Sequence, residues 1–229
     1  DEDDFFTINE LKRSLAGLKE YTFIYFDKHD TLINDLSKNT NKFDFVFNLC
    51  DEGFNNDATK ELHVPSLLEI LNIKYTGGTP QCLAYCYDKS LVRGIAKEMD
   101  IPVPRAFIIN PEDTNFIELQ IGFPVIVKPN FGDSSFGINQ NSVCNNLEEL
   151  ENALTHVRRS VGYDKPIIVE EFLEGEDISV GIIGNPPESY LALPIIKEDY
   201  STLPPHLPKI CGYEAKWKPD SPYGGIGSV

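Results

Sequence analysis

Basic residues are in short supply: 20 Lys and Arg stand against 36 Asp and Glu, a net charge of −16 over 229 residues. Such an excess repels phosphodiester backbone and anionic lipid headgroups, which excludes broad nucleic-acid or membrane-surface binding. A single nucleotide stays within reach wherever a few lysines and backbone amides converge. No run approaches the ~20 consecutive apolar residues of a membrane-spanning helix. The four histidines are scattered without zinc-site spacing. Five cysteines, Cys50, Cys82, Cys86, Cys144 and Cys211, are odd in number and form no CxxC pair. A chain this long needs no disulfide staples, so the pattern favours a reducing, cytoplasmic compartment. Nothing in the opening residues reads as a signal peptide, and there are no internal repeats or low-complexity tracts. The chain opens Asp1-Glu2-Asp3-Asp4 without an initiator methionine and closes on Gly227-Ser228-Val229, which reads as a fragment.

What is present alternates helix and strand signals. Thr7 with Glu10 forms a capping-box pattern, and Ile8, Leu11, Leu15 and Leu18 fall on one helical face. Tyr21 to Phe26 and Phe43 to Leu49 read as strands, the second bounded by Cys50-Asp51-Glu52-Gly53. A helix to about Asn72 and the run Ile73-Lys74-Tyr75-Thr76 follow. This alternation predicts a parallel α/β layer, with the 50–57 loop at a site edge. Pro80 opens a further helix. Ile101-Pro102-Val103-Pro104 is a connector into a strand from Ala106 to Ile109, because its prolines forbid helix. Strands are then expected in adjacent pairs: Val125 to Lys128 with Phe136 to Ile138, and Ile167 to Leu173 with Asp177 to Ile183. Between the pairs, a helix starts near Asn146 with Leu147, Leu150, Leu154 and Val157 on one face. The domain boundary is expected between residues 86 and 100.

Three stretches carry candidate chemistry. In Lys128-Pro129-Asn130-Phe131-Gly132-Asp133-Ser134-Ser135-Phe136-Gly137 the glycine spacing imitates a P-loop. Ile138 stands where that motif needs lysine, which excludes it. The lysine instead precedes the loop, so Lys128 reaches phosphates from a strand end while small residues let backbone amides cover them. The second stretch, Ile168 to Asp177, puts Glu170 and Phe172 on one strand face and Glu171 and Leu173 on the other. It suits a purine amino group and a ribose. The third, Tyr213-Glu214-Ala215-Lys216-Trp217, lies in a proline-rich segment from Tyr200 to Tyr223 that has the character of an active-site lid. If that segment is extended, Glu214 and Lys216 share a face. Taken singly, each stretch has a plainer reading: a surface hairpin, a solvated acidic strand end, and a loop anchored by one tryptophan.

Together, and in this order, the phrases resemble the ATP-grasp ligases. Phe123-Pro124-Val125-Ile126-Val127-Lys128-Pro129 and Gly132 to Ile138 carry the likeness, with Val46-Phe47-Asn48-Leu49, Ile73 to Gly77, Asp88-Lys89, Val169 to Gly175 and Tyr213 to Lys216. Within that superfamily the chain is most similar to the D-alanine–D-alanine ligase group. The resemblance implies an ATP-grasp fold of mixed α/β and α+β character. Residues 1–86 would form an α/β N-terminal domain, and 87–229 an ATP-grasp domain with lobes at 87–165 and 166–229. The implied reaction joins a carboxylate to an amine through an acyl phosphate. By position, Lys89 and Lys128 would contact the ATP phosphates, and Glu170, Glu171, Phe172, Leu173 and Asp177 the adenine and ribose. Ser134 and Ser135 would lie in the phosphate-covering loop, Ser134 near the reacting carboxylate, with Lys216 closing over the transferring phosphate. ATP and Mg²⁺ are the implied cofactors, the metal ligands being expected beyond residue 229. Amino acids or peptides are the implied substrates, and the likeness allows a homodimer. Trp217 stands where these ligases carry tyrosine, and Asn48 to Gly53 replaces their His-Gly phrase. A ligase for another amino-acid or peptide substrate, or a non-catalytic nucleotide-binding module, are the alternatives.

Overall fold

The computed structural model describes residues 2–51, 53–113, 122–185, 187 and 189–229. The chain divides into two units, residues 1–83 and 84–229.

In the first unit the helix α1 (Glu2–Leu15) runs straight through Thr7, so the capping-box start expected there is overturned. No proline or glycine interrupts residues 2–15, and the helix takes up the whole stretch. Residues 21–26 form no ladder, which corrects the strand expected at that place. Their period-two alternation survives as a row of rings, Tyr21–Phe23 at 6.2 Å and Phe23–Tyr25 at 6.3 Å between centroids. A strand needs a neighbour's backbone, and no described segment supplies one here. Helix α2 (His29–Asn39) buries Leu32 and Leu36, and α3 (His63–Ile70) buries Val64 and Leu68. These four join Ile73 in one core cluster, flanked by Phe26, Phe43 and Val46. Parallel pairing exists but is brief: Val46 bridges Tyr75, with Val46 N–H donating to the Lys74 carbonyl and Thr76 N–H to the Val46 carbonyl. Helix α4 (Pro80–Tyr87) begins at its proline, as residue chemistry at a helix start favours.

In the second unit, α5 (Lys89–Glu98) leads through the Pro102–Pro104 connector into β1 (Ala106–Ile109). Strands β2 (Val125–Pro129), β3 (Val143–Cys144) and β4 (Ile167–Glu171) complete a four-stranded sheet in the order β1-β4-β2-β3. All of its pairings are antiparallel. Helix α6 (Leu147–Val161) covers one face. Asn146 caps it, its side chain accepting from Glu149 N–H at 3.0 Å. Leu150, Ala153, Leu154 and Val157 recur at the helical period and are buried against Val125, Val127, Ile167 and Val169. Leu147, expected on that face, sits in the first turn and is 49% exposed; Ala153 takes its place.

Two strand pairings differ from expectation. Residues 136–138 are a turn, not a strand, because Gly137 has φ +76° and breaks extended backbone. The short β3 pairs with β2 instead. The segment 177–183 does not pair with β4. It splits into β5 (Ile178–Ser179) and β6 (Ile182–Asn185), which pair with β8 (Ile196–Asp199) and β7 (Ser189–Ala192) respectively. Residues 213–217 form a short helix, α7 (Tyr213–Trp217), and β9 (Gly227–Ser228) edges β8. Tyr200, Leu203, Ile210 and Tyr223 close over the other face of the main sheet, packing on Ile126, Val143 and Phe172. Among the described residues no helix is long and apolar enough to cross a membrane.

Candidate functional site

Sheet register explains why a lysine and a glutamate meet. Along β2, Val125 and Val127 face α6, so Ile126 and Lys128 face the opposite side; along β4, Ile167 and Val169 face α6, and Glu170 faces away. Ile126 pairs with Glu170 and Lys128 with Ile168, which makes Lys128 and Glu170 diagonal neighbours on one face. Their ammonium and carboxylate form an ion pair. Glu170 is only 6% exposed. A second cation reaches it from α5: Arg93 Nε lies 3.0 Å from Glu170 Oε1. That N–H is buried yet not aligned for a hydrogen bond, while Arg93 Nη2 donates to the Pro104 carbonyl.

The start of α5 is pinned to the end of β2. Asp88 caps the helix, accepting from Ser90 N–H at 3.0 Å, Leu91 N–H at 3.1 Å and the Ser90 hydroxyl at 2.7 Å. Buried Asn130 adds its amide, donating to the same Asp88 oxygen at 2.9 Å and accepting from Ser90 N–H at 3.0 Å. Burial pushes the Asp88 carboxyl up, but these donors outweigh it and hold it below the usual range. The Asn130 carbonyl also accepts from Lys89 N–H, which fixes where the Lys89 side chain departs. Lys89 Nζ donates to the Gly132 carbonyl at 2.7 Å. Burial, and then repulsion from Lys128, hold its ammonium below the ordinary lysine range; Asp133, Glu170 and Asp88 pull the other way. Lys89 thus reaches the loop at Gly132 and feels the charge of Lys128, which is itself paired with Glu170.

The loop itself runs through left-handed backbone at Gly132 (φ +104°), Ser134 (+49°), Ser135 (+59°) and Gly137 (+76°). Two non-glycine residues held there in succession store strain, a trait of ligand-clamping segments. At Gly137 a Cβ would stand 3.1 Å from the Pro129 ring, so glycine also permits close approach. Residues 211–217 hold the loop from outside. The Ser135 hydroxyl donates to the Cys211 carbonyl at 2.9 Å, Tyr213 N–H to the Ile138 carbonyl at 2.8 Å, and Trp217 Nε1 to the Ser134 carbonyl at 3.3 Å. The extended backbone considered for residues 213–217 is corrected to a helix, since Glu214, Ala215 and Lys216 all favour one. Lys216 is exposed. Its charge lowers the Cys211 thiol, though burial has the larger effect and raises it.

The remaining candidates are more dispersed. Asp177 accepts from the Tyr200 hydroxyl, whose ionisation burial pushes far up. Phe172 packs into the cluster of Tyr200 and Tyr223, and Leu173 is exposed. Glu171 points to the strand face away from Glu170 and is bound to Arg105, Nε and Nη2 both at 3.4 Å. That guanidinium first, and the Arg105 backbone amide, lower the Glu171 carboxyl. Sequence reading missed Arg93 and Asn130. Arg93 follows Lys89 by four residues, one helical turn, which places both on one face of α5; that spacing was the available signal. Among the described residues no three His, Cys, Asp or Glu side chains come together as a metal ligand set.

The family model described as D-ala D-ala ligase C-terminus matches residues 95–222. The D-alanine–D-alanine ligase of Marinomonas sp. (strain MWYL1) is 32% identical over 180 residues, 78% of this chain and 51% of that protein. That of Clostridium botulinum (strain Loch Maree / Type A3) is 33% identical over 147 residues, 63% of this chain and 46% of its own. Among solved structures, D-alanine–D-alanine ligase from Bacillus anthracis complexed with ATP superposes with a TM-score of 0.56 at 26% identity, covering 77% of this chain and 51% of that one. The chain spans about half the length of the curated relatives it matches. The likeness covers the fold as well as the sequence, and the fold is ATP-grasp. The chain belongs to the family of D-Ala–D-Ala ligase C-terminal domains.

Proposed function

We propose that this protein takes part in ATP-dependent amide-bond formation between a carboxylate and an amine, of the D-alanine–D-alanine ligase type. The observation that carries the proposal is the placing of Lys89, which donates to the Gly132 carbonyl, and of Lys128, at the end of β2, at the two edges of a left-handed Gly/Ser loop. Cations so placed are stabilised when phosphates bind between them. In this reading residues 87–165 supply Lys89, Lys128 and the loop, and Ser134 and Ser135 cover the phosphates. Residues 166–229 supply Glu170, Glu171, Phe172, Leu173 and Asp177 for adenine and ribose. Lys216 on α7 approaches the transferring phosphate, and Ser134 the attacking carboxylate. The lysines neutralise charge as the acyl phosphate forms, and the lid keeps water from it until the amine displaces phosphate.

Mg²⁺ is proposed as the companion of the ATP phosphates. Among the described residues no three His, Cys, Asp or Glu side chains group to hold it. The substrates are proposed to be small amino acids or peptides, and the compartment cytoplasmic. ADP and phosphate release on a panel of D- and L-amino acids tests the reaction. Release with D-alanine supports the D-alanine reading, and release with another amino acid keeps the mechanism and replaces the substrate. ATP binding without release under any amino acid leaves a nucleotide-binding module.

A pH prediction follows from Lys89. In the free protein its ammonium loses its proton at lower pH than an ordinary lysine, by burial and by Lys128. Only the protonated form attracts phosphate, so ADP affinity is full below that lowered value and falls as pH rises through it. Calorimetric titration of ADP across the alkaline range is expected to show this fall in the wild type. In Lys89→Gln the affinity is weaker throughout and the fall sets in later.

A further inference from the structure

Among the described residues Glu170 is the only charged residue in the buried class, and it is ion-paired with two cations, one at each carboxylate oxygen. Lys128 is paired with Oε2. Arg93 sits beside Oε1 with a buried Nε–H that bonds nothing, its fork steadied by the Pro104 carbonyl. This arrangement poses a problem for any nucleotide that draws Lys128 to its phosphates. Lys128 has one ammonium, and leaving Glu170 would strand a buried carboxylate.

We infer that Arg93 is a positioning residue for nucleotide binding: it takes over the Glu170 carboxylate when Lys128 turns to the phosphates. The unspent Nε is already 3.0 Å from Oε1, and a rotation that aligns its hydrogen completes the bond. Arg93 thereby holds Glu170 in place and lets Lys128 go. The inference rests on the reading of Lys128 as a phosphate ligand.

The test compares ATP with adenosine, which has no phosphate and leaves Lys128 where it is. Calorimetry on the full chain is expected to show Arg93→Met weakening ATP about 30-fold, the loss of one charged hydrogen bond, and adenosine by less than about 3-fold. Arg93→Lys restores a cation and is expected to recover most of the ATP affinity. Arg93→Gln keeps a donor for Pro104 without the charge and should show the same split as Arg93→Met, which serves if that variant folds poorly. Equal losses for both ligands would mean a merely structural arginine and would overturn the inference, as would unchanged ATP affinity. A wild-type chain that binds neither ligand would instead overturn the nucleotide reading beneath it.

Discussion

Replacing Lys128 by alanine is expected to weaken ATP binding about 100-fold, because a charge-assisted contact made in a partly buried site is lost. Turnover, measured as ADP release at saturating amine, should fall further, since charge on the transferring phosphate grows toward the transition state. The fold should survive. Val125 and Val127 pack against α6 on the other face, and Glu170 keeps Arg93 as a partner. Far-UV circular dichroism should therefore match the wild type, although some loss of thermal stability is expected from the broken ion pair. ATP affinity equal to the wild type in a folded Lys128→Ala protein would remove Lys128 from the site.

The second large effect is on stability. Leu150 is fully buried between α6 and the sheet, touching the Val125, Val127 and Val169 cluster. Leu150→Ala is expected to cost about 3 kcal/mol, transfer and cavity together. For a unit of this size that lowers Tm by about 9 °C. Leu147, one turn earlier and on the same helical period in sequence, is 49% exposed, so Leu147→Ala should change stability by less than about 0.5 kcal/mol. Equal effects from the two substitutions, read by thermal and urea unfolding, would contradict the packing described.

That contrast shows where sequence alone is informative. The start of α6 is legible because a cap is local: Asn146 and Glu149 meet within a single turn. The connector into β1 is legible because proline restricts its own backbone and its neighbour's. Leu147 and Ala153 are not legible, since period alone does not say how far the sheet extends beneath the helix. Strand partners are harder still. Tyr21–Phe26 has strand-favouring residues and, among the described residues, no neighbour to bond, whereas Val143–Cys144, two residues long, has one in β2. The loop, the strand-end lysine and the acidic strand were visible as phrases. The Arg93–Glu170–Lys128 cluster was not, since it joins residues from α5, β2 and β4 through tertiary packing that no local pattern encodes.

The two faces of the main sheet are closed by material from different points along the chain. One is covered by α6, which lies between β3 and β4 in sequence; the other by residues 200–226, all downstream of β4. During synthesis, everything needed for the sheet and its α6 core has been made once residue 171 emerges. Lys89, Lys128 and Glu170 have then emerged as well, while residues 200–226, which close the other face of the sheet, are still within the ribosome or unmade. Vectorial folding of this order lets the durable layer form on its own, while the roof is added last onto a finished surface.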